Sequence, residues 1–288
     1  MFEASVFVQS PGRDPQLVSP RGGLFYQASI HPEGQEVVFY GGRDGMPRIW
    51  RRILPDGLLA PITPSDSGAR HPVYDWQGER LAFASDRGSP VSGETVDEIN
   101  SATIDADPAM HLNIYTAEPD GNSVRQITDG PHLDHRPTFS PDGRWIAFAS
   151  NRSGETAIWR TPSDGSGHPE PVFLDHWGYR PWYTPEGTSI LFYGPDGGRH
   201  RIWEVEIDTG LAAPVESDDR GITHGPFMGS DDTAILVHST RGGSWRIWGL
   251  PRRGWSPRVD VTPHGFPMAA HATRSRDRVL AFDVKIDR

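Results

Sequence analysis

The sequence predicts an all-β fold, a six-bladed β-propeller with four antiparallel strands in each blade. Three observations predict it. Of 288 residues, 32 are Gly and 27 are Pro, spread so evenly that turns interrupt every stretch long enough for a helix. The chain is only 35% hydrophobic yet holds 10 Trp, 12 Phe and 7 Tyr, which argues for packed strands rather than disorder. Two motifs also recur at one period. Aromatic residues that end an apolar pair, at Trp50, Tyr115, Trp159, Trp203 and Trp248, are spaced 65, 44, 44 and 45 residues. An apolar series at Phe39, Phe83, Phe148, Phe192, Val237 and Phe282 is spaced 44, 65, 44, 45 and 45. Both series give a period of 44–45 residues with one insertion of 21, and four short strands at that period make a propeller blade.

The elements follow in order within each unit, most plainly in the third. A first strand ends at Ser140-Pro141-Asp142-Gly143, where Pro presets φ and Gly accepts a positive one. An apolar second strand follows at Trp145-Ile146-Ala147-Phe148, then a polar turn at Asn151-Arg152-Ser153-Gly154. The third strand holds Ala157-Ile158-Trp159, and Pro162-Ser163-Asp164-Gly165 turns into the fourth. Without the insertion the chain divides into six such units. The last unit, Met268 to Ile286, supplies only two strands. Ser5-Val6-Phe7-Val8 and Gln16-Leu17-Val18 are expected to supply its third and fourth, closing the ring and removing an exposed edge. Residues 1–288 therefore read as a single domain, with the insertion in blade two, within 88–112.

Composition narrows the function. The formal charge of −10 argues against sequence-independent nucleic-acid binding, which needs basic surfaces. The absence of Cys excludes disulfides, thiolate metal sites and a cysteine nucleophile. No apolar run approaches a membrane span, and Met1-Phe2-Glu3-Ala4-Ser5 does not begin a secretory signal, so a cytoplasmic location is expected.

The segment from Ser140 through Asn151-Arg152 resembles the repeat of TolB-type propellers, with weaker copies from Asp75 to Arg87 and from Thr184 to Tyr193. The resemblance covers nearly the whole chain. It implies the fold, in the propeller alone and without TolB's N-terminal α/β domain. It implies little about activity, since such propellers serve scaffolds, peptidase gates and lyases.

First strands line a propeller channel, and the loops leading into them share a face with the loops joining strands two and three. Ligands favour that mouth. The aligned residues there are Tyr26-Gln27, Arg70-His71, His135-Arg136, Tyr179-Arg180 and His224-Gly225, with Ala269-Ala270-His271 ambiguous in register. Seven of the twelve His lie in these segments: His71, His132, His135, His176, His224, His264 and His271. His71, His135, His224 and His271 with Gln27 are the candidate ligands of a divalent metal, Mn, Ca or Zn. Arg70, Arg136 and Arg180 suit a carboxylate or phosphate, and Trp177 a sugar ring. His135, His224, Tyr26 or Tyr179 would serve as general base, with Arg136 and Arg180 stabilising an enolate. This is the logic of uronate β-elimination, and oligogalacturonate lyases are similar in kind, with three His and a Gln holding a metal in a seven-bladed ring. The insertion is expected to form a lid on the same face, with Glu98 or His111 reaching inward. The expectation is a metal-assisted lyase or isomerase on a small anionic or carbohydrate-like ligand. The alternative is a non-catalytic scaffold that binds a protein partner on its rim.

Overall fold

The computed structural model describes residues 2–43, 46–87, 111–215, 223–229, 234–241, 243–252, 259–266 and 268–287. Most of the insertion, including Glu98, lies outside the described residues. Among the described residues all regular structure is β, and the strands follow the order read from the repeat. Blade one holds β3 (Leu24–Ile30), β4 (Glu36–Gly42), β5 (Arg48–Ile53) and β6 (Leu59–Pro61). Blade two holds β7 (Ala69–Tyr74), β8 (Leu81–Ser85), β9 (Asn113–Ala117) and β10 (Arg125–Gln126). Blade three comprises β11 (Asp134–Phe139), β12 (Trp145–Ser150), β13 (Ala157–Pro162) and β14 (Glu170–Phe173). Blade four comprises β15 (Tyr179–Tyr183), β16 (Ser189–Asp196), β17 (Arg199–Glu206) and β18 (Ala212–Pro214). In blade five are β19 (Thr223–Phe227), β20 (Ala234–Ser239), β21 (Arg246–Pro251) and β22 (Val259–Asp260).

The closing group joins both ends of the chain. There β23 (Ala269–Arg274) pairs with β24 (Leu280–Asp287), and β24 pairs along its length with β1 (Phe2–Gln9), which carries β2 (Gln16–Leu17). These eight terminal and blade-one strands form one sheet, which divides into two four-stranded groups at the single parallel pair Ala4–Leu24. The innermost strands β3, β7, β11, β15, β19 and β23 touch in that order, and β23 returns to β3.

The core lies between neighbouring sheets. Phe39, Phe83, Phe148, Phe192 and Phe282, the second-strand aromatics of the repeat, are each at most 2% exposed. Trp50, Trp159, Trp203 and Trp248 pack half-buried against these clusters, the structural role expected of them.

Candidate functional site

Every first strand carries the same local device. Its ladder to the second strand slips by one residue, between Tyr26 and Ser29, Arg70 and Val73, His135 and Thr138, Tyr179 and Trp182, His224 and Phe227, and Ala270 and Thr273. A bulge of this kind bends the strand and re-aims a side chain. The residues in the bulges are left-handed: Gln27, His71, Arg136, Arg180 and His271 at φ of 50, 55, 55, 52 and 50°, and Gly225 at 62°. Glycine accepts this conformation freely, whereas each of the other five costs about 1 kcal/mol of backbone strain. Gly225 has a further reason. A Cβ there would sit 2.6 Å from the His238 ring and 2.9 Å from Arg180 Nη1, so glycine makes room for both. Blade six is thereby fixed in register, with Ala270 and His271 as the equivalent pair.

Rings at or beside the bulges meet rings of the second strands in a belt. Centroids are 6.1 Å apart for Tyr26–Tyr40, 5.3 Å for Tyr40–His71, 5.9 Å for His71–His135 and 5.7 Å for His135–Tyr179. The belt continues through Tyr179–Tyr193 at 5.6 Å, Tyr193–His224 at 4.4 Å, His224–His238 at 5.6 Å and His238–His271 at 4.6 Å. It closes through Asp283. His271 Nδ1 lies 2.8 Å from Asp283 Oδ1, which also accepts the Gln27 backbone N–H at 3.0 Å.

Burial sets the charge state. It holds His71, His135, His238 and His271 well below the ordinary imidazole value, with Arg136 and Arg180 adding to the depression in each. His224 is lowered to about 2 for the same main reason, and the nearby His200 adds to it. Asp283 is raised to about 7, again by burial, against the pull of the Gln27 N–H and of Arg180 and Arg136. Arg136 and Arg180 line the central space beside these groups. Burial first, and the neighbouring charge of Arg136 second, lower Arg180 to about 9. Arg136 Nε and both ring nitrogens of His71 and of His135 are buried without a hydrogen-bond partner. Groups of that kind are costly to bury unpaired.

Several expected residues hold other posts. Arg70 is 0% exposed and its Nη1 lies 3.8 Å from Asp86, so its charge is engaged away from the belt, because the bulge presents its neighbour His71 instead. His224 Nε2 is 2.5 Å from His200 Nδ1. Trp177 packs edge-on against Tyr179, Tyr193 and His200, behind the belt. His176 packs on Phe173 and Trp203, outside the ring. His111 is half-buried just before Leu112, which bridges Leu133. The proposed ligands His71, His135, His224, His271 and Gln27 do not gather around one point. Among the described residues no three His, Cys, Asp or Glu side chains could hold a metal ion, and two guanidiniums share the channel. A resident cation does not fit that surrounding.

Sequence reasoning passed over Tyr40, Tyr193, His238 and Asp283, which complete the belt. A signal was available. Tyr26, Tyr179 and His224 pair across the ladder with Tyr40, Tyr193 and His238, each fourteen positions further on.

Comparison with known proteins places this geometry in a family. The model of the TolB beta propeller domain matches residues 103–254. A protein TolB homolog of Chlorobium luteolum is 28% identical over 147 residues, which cover 44% of this chain and 34% of that protein. The chain spans about a third of the length of the curated relatives it matches. A solved structure described as a TolB-type protein of Agrobacterium tumefaciens superposes with a TM-score of 0.74 at 15% identity, with 100% of both chains covered. The oligogalacturonate lyase of Vibrio parahaemolyticus superposes with a TM-score of 0.54 at 10% identity, covering 98% of this chain and 97% of its own. At those identities the two structures speak for the fold alone.

Proposed function

This chain belongs to the TolB beta propeller domain family, and we propose that it binds a small anion, a carboxylate or a group of like charge, inside its channel. The observation that carries the reading is the pair Arg136, buried, and Arg180, half-buried, which line one central cavity where burial keeps His71 and His135 neutral. An anion between them would relieve their repulsion and satisfy Arg136 Nε, and the forked guanidinium geometry suits carboxylate. Strain at five of six bulge residues supports it, since strained backbone persists where it serves a site.

The test is calorimetric titration of the protein with acetate. Saturable binding is expected, with affinity at least tenfold lower in Arg136→Gln, since one charge-assisted hydrogen bond contributes about 1.5–3 kcal/mol. Equal affinity in the variant would contradict the reading, and so would no binding at all. The latter is what a scaffold with an incidental channel and a partner on its rim would give.

The unpartnered ring nitrogens of His71 and His135 favour one extension. A neutral imidazole can take the proton beside a bound carboxylate, the two arginines can hold the enolate that forms, and a leaving group on the next carbon can depart. An oligogalacturonide is the substrate to offer, and growth of ultraviolet absorbance from the unsaturated product is the readout. No growth above a His135→Ala control would remove the extension and leave binding intact.

Acidity provides another check. Asp283 ionises above about 7 and then places a negative charge among the arginines. Acetate affinity is therefore expected to fall several-fold between pH 6 and pH 8. Asp283→Asn should flatten that profile; an unchanged slope in this variant would show that another group causes it.

A further inference from the structure

The channel does not end at the belt. Its central cavity, about 90 Å³ at the bulge residues, adjoins a second cavity of about 420 Å³ where first strands turn into second strands. Ser29, Trp182 and Phe227 line both, so the two cavities share a wall. The larger cavity opens on the face opposite the loops that lead into the first strands, where sequence reasoning did not look.

Among the described residues this vestibule has an aromatic floor and a basic rim. Trp182 and Trp76 donate their ring N–H groups to the carbonyls of Met228 at 2.8 Å and Phe139 at 2.9 Å, which leaves apolar ring surface to the cavity beside Phe227. Arg274, Arg276 and Arg278 stand on the rim. Among the described lining residues the one carboxylate is Asp75, which already takes Arg80 Nε at 3.1 Å and the Glu79 N–H at 2.8 Å. Burial and the charge of Arg278 both lower Arg274.

Arg278 is the telling residue. Blades one to four make the same tight turn here, with Gly34, Gly78, Gly143 and Gly187 at φ of 73, 80, 70 and 73° and each N–H donating to a carbonyl three residues back. Blade six makes the same hydrogen bond, Arg278 N–H to Ser275 at 3.0 Å, but with an arginine at φ 62°. Long L side chains are disfavoured in this conformation where glycine is at ease. Strain retained where four sister turns avoid it points to use of the side chain.

We propose that ligand enters through the vestibule and that it is an elongated anion, an acidic head on an apolar, ring-sized body. The rim arginines draw it in, the head reaches Arg136 and Arg180, and the body rests on Trp182, Trp76 and Phe227. The second cavity has the volume of a small-molecule site, which a bare acetate would leave unfilled. The proposal rests on the anion-binding reading of the channel.

Calorimetric titration at low ionic strength with acetate, 4-phenylbutyrate and 4-phenylbutan-1-ol tests it, in the native protein, Arg278→Gly and Arg136→Gln. The phenylbutyrate is expected to bind at least tenfold more tightly than either acetate or the alcohol. Arg278→Gly restores the turn of the sister blades, so its unfolding midpoint should be unchanged or raised while its affinity for phenylbutyrate falls several-fold. Arg136→Gln should weaken both anions. The proposal is overturned if phenylbutyrate binds no better than acetate, if Arg278→Gly binds it as the native protein does, or if Arg136→Gln leaves its binding unchanged. Acetate binding that still depends on Arg136 would then keep the channel reading alone. No binding of either anion by the native protein would overturn both.

Discussion

A chain carrying both Arg136→Gln and Arg180→Gln is expected to bind acetate at least a hundredfold more weakly than the native protein, yet to unfold at the same or a higher temperature. The two effects share one cause. Each guanidinium gives an anion about 1.5–3 kcal/mol of charge-assisted hydrogen bonding, so losing both removes two orders of magnitude or more. Without the anion the same groups are a burden. Arg136 is buried and Arg180 half-buried, they repel one another, and Arg180 is already pulled down to about 9. Binding sites often carry such strain at the expense of stability. A structural pair would behave differently, like Arg152 and Asp134, whose Nη2–Oδ2 separation is 2.6 Å. Removing one partner there strands a buried carboxylate and destabilises the fold. Titration calorimetry and thermal unfolding of the double variant decide the matter. A lower midpoint with acetate affinity intact would show that the arginines hold the fold rather than a ligand.

Val6→Asp is expected to cost about 4 kcal/mol or more, enough to unfold much of the chain, because it buries an unpaired carboxylate. Val6 is 0% exposed, packs with Phe25 and Phe39 of blade one, and lies opposite Asp283 in the β1–β24 ladder. Its carbonyl also accepts the Val18 N–H at 2.9 Å, which ties β2 to the closing group. The new charge would lie in the joint between the chain's two ends and next to another carboxyl group. Val6→Ala only opens a small cavity and should cost about 1–3 kcal/mol. Urea unfolding of both variants checks the difference, and a near-native midpoint for Val6→Asp would mean that the closing strands contribute little.

The architecture was legible because a propeller writes its period into the chain. The core aromatics at Phe148 and Phe192 recur because each must fill the same space between sheets. Ser5–Val8 could be assigned to the closing group because the last repeat lacked two strands, and β1 pairs there along its length. The pairs Tyr26-Gln27 through His224-Gly225 were aligned correctly, since the bulge occurs at one place in every repeat. Which member of each pair serves the channel was not legible. That depends on the left-handed φ, which turns His71 into the belt and leaves Arg70 to Asp86. His200 and His238 lie in a third and a second strand, outside the segments that lead into the first strands. Pairing across the ladder brings His238 to His224, and a side-chain contact from the neighbouring blade brings His200 there. The vestibule was missed for a similar reason. Arg278 looks like an ordinary turn residue until it is set beside the glycines of its sister turns.

The central claim is that Arg136 and Arg180 together hold an anion in a channel of neutral histidines. Anomalous diffraction from crystals of the native protein soaked in selenate tests it most directly. The expected result is a selenium peak between the two guanidiniums, within hydrogen-bond reach of both, that disappears in the double glutamine variant. Selenium found only at surface arginines, with the space between Arg136 and Arg180 filled by water, would contradict the claim.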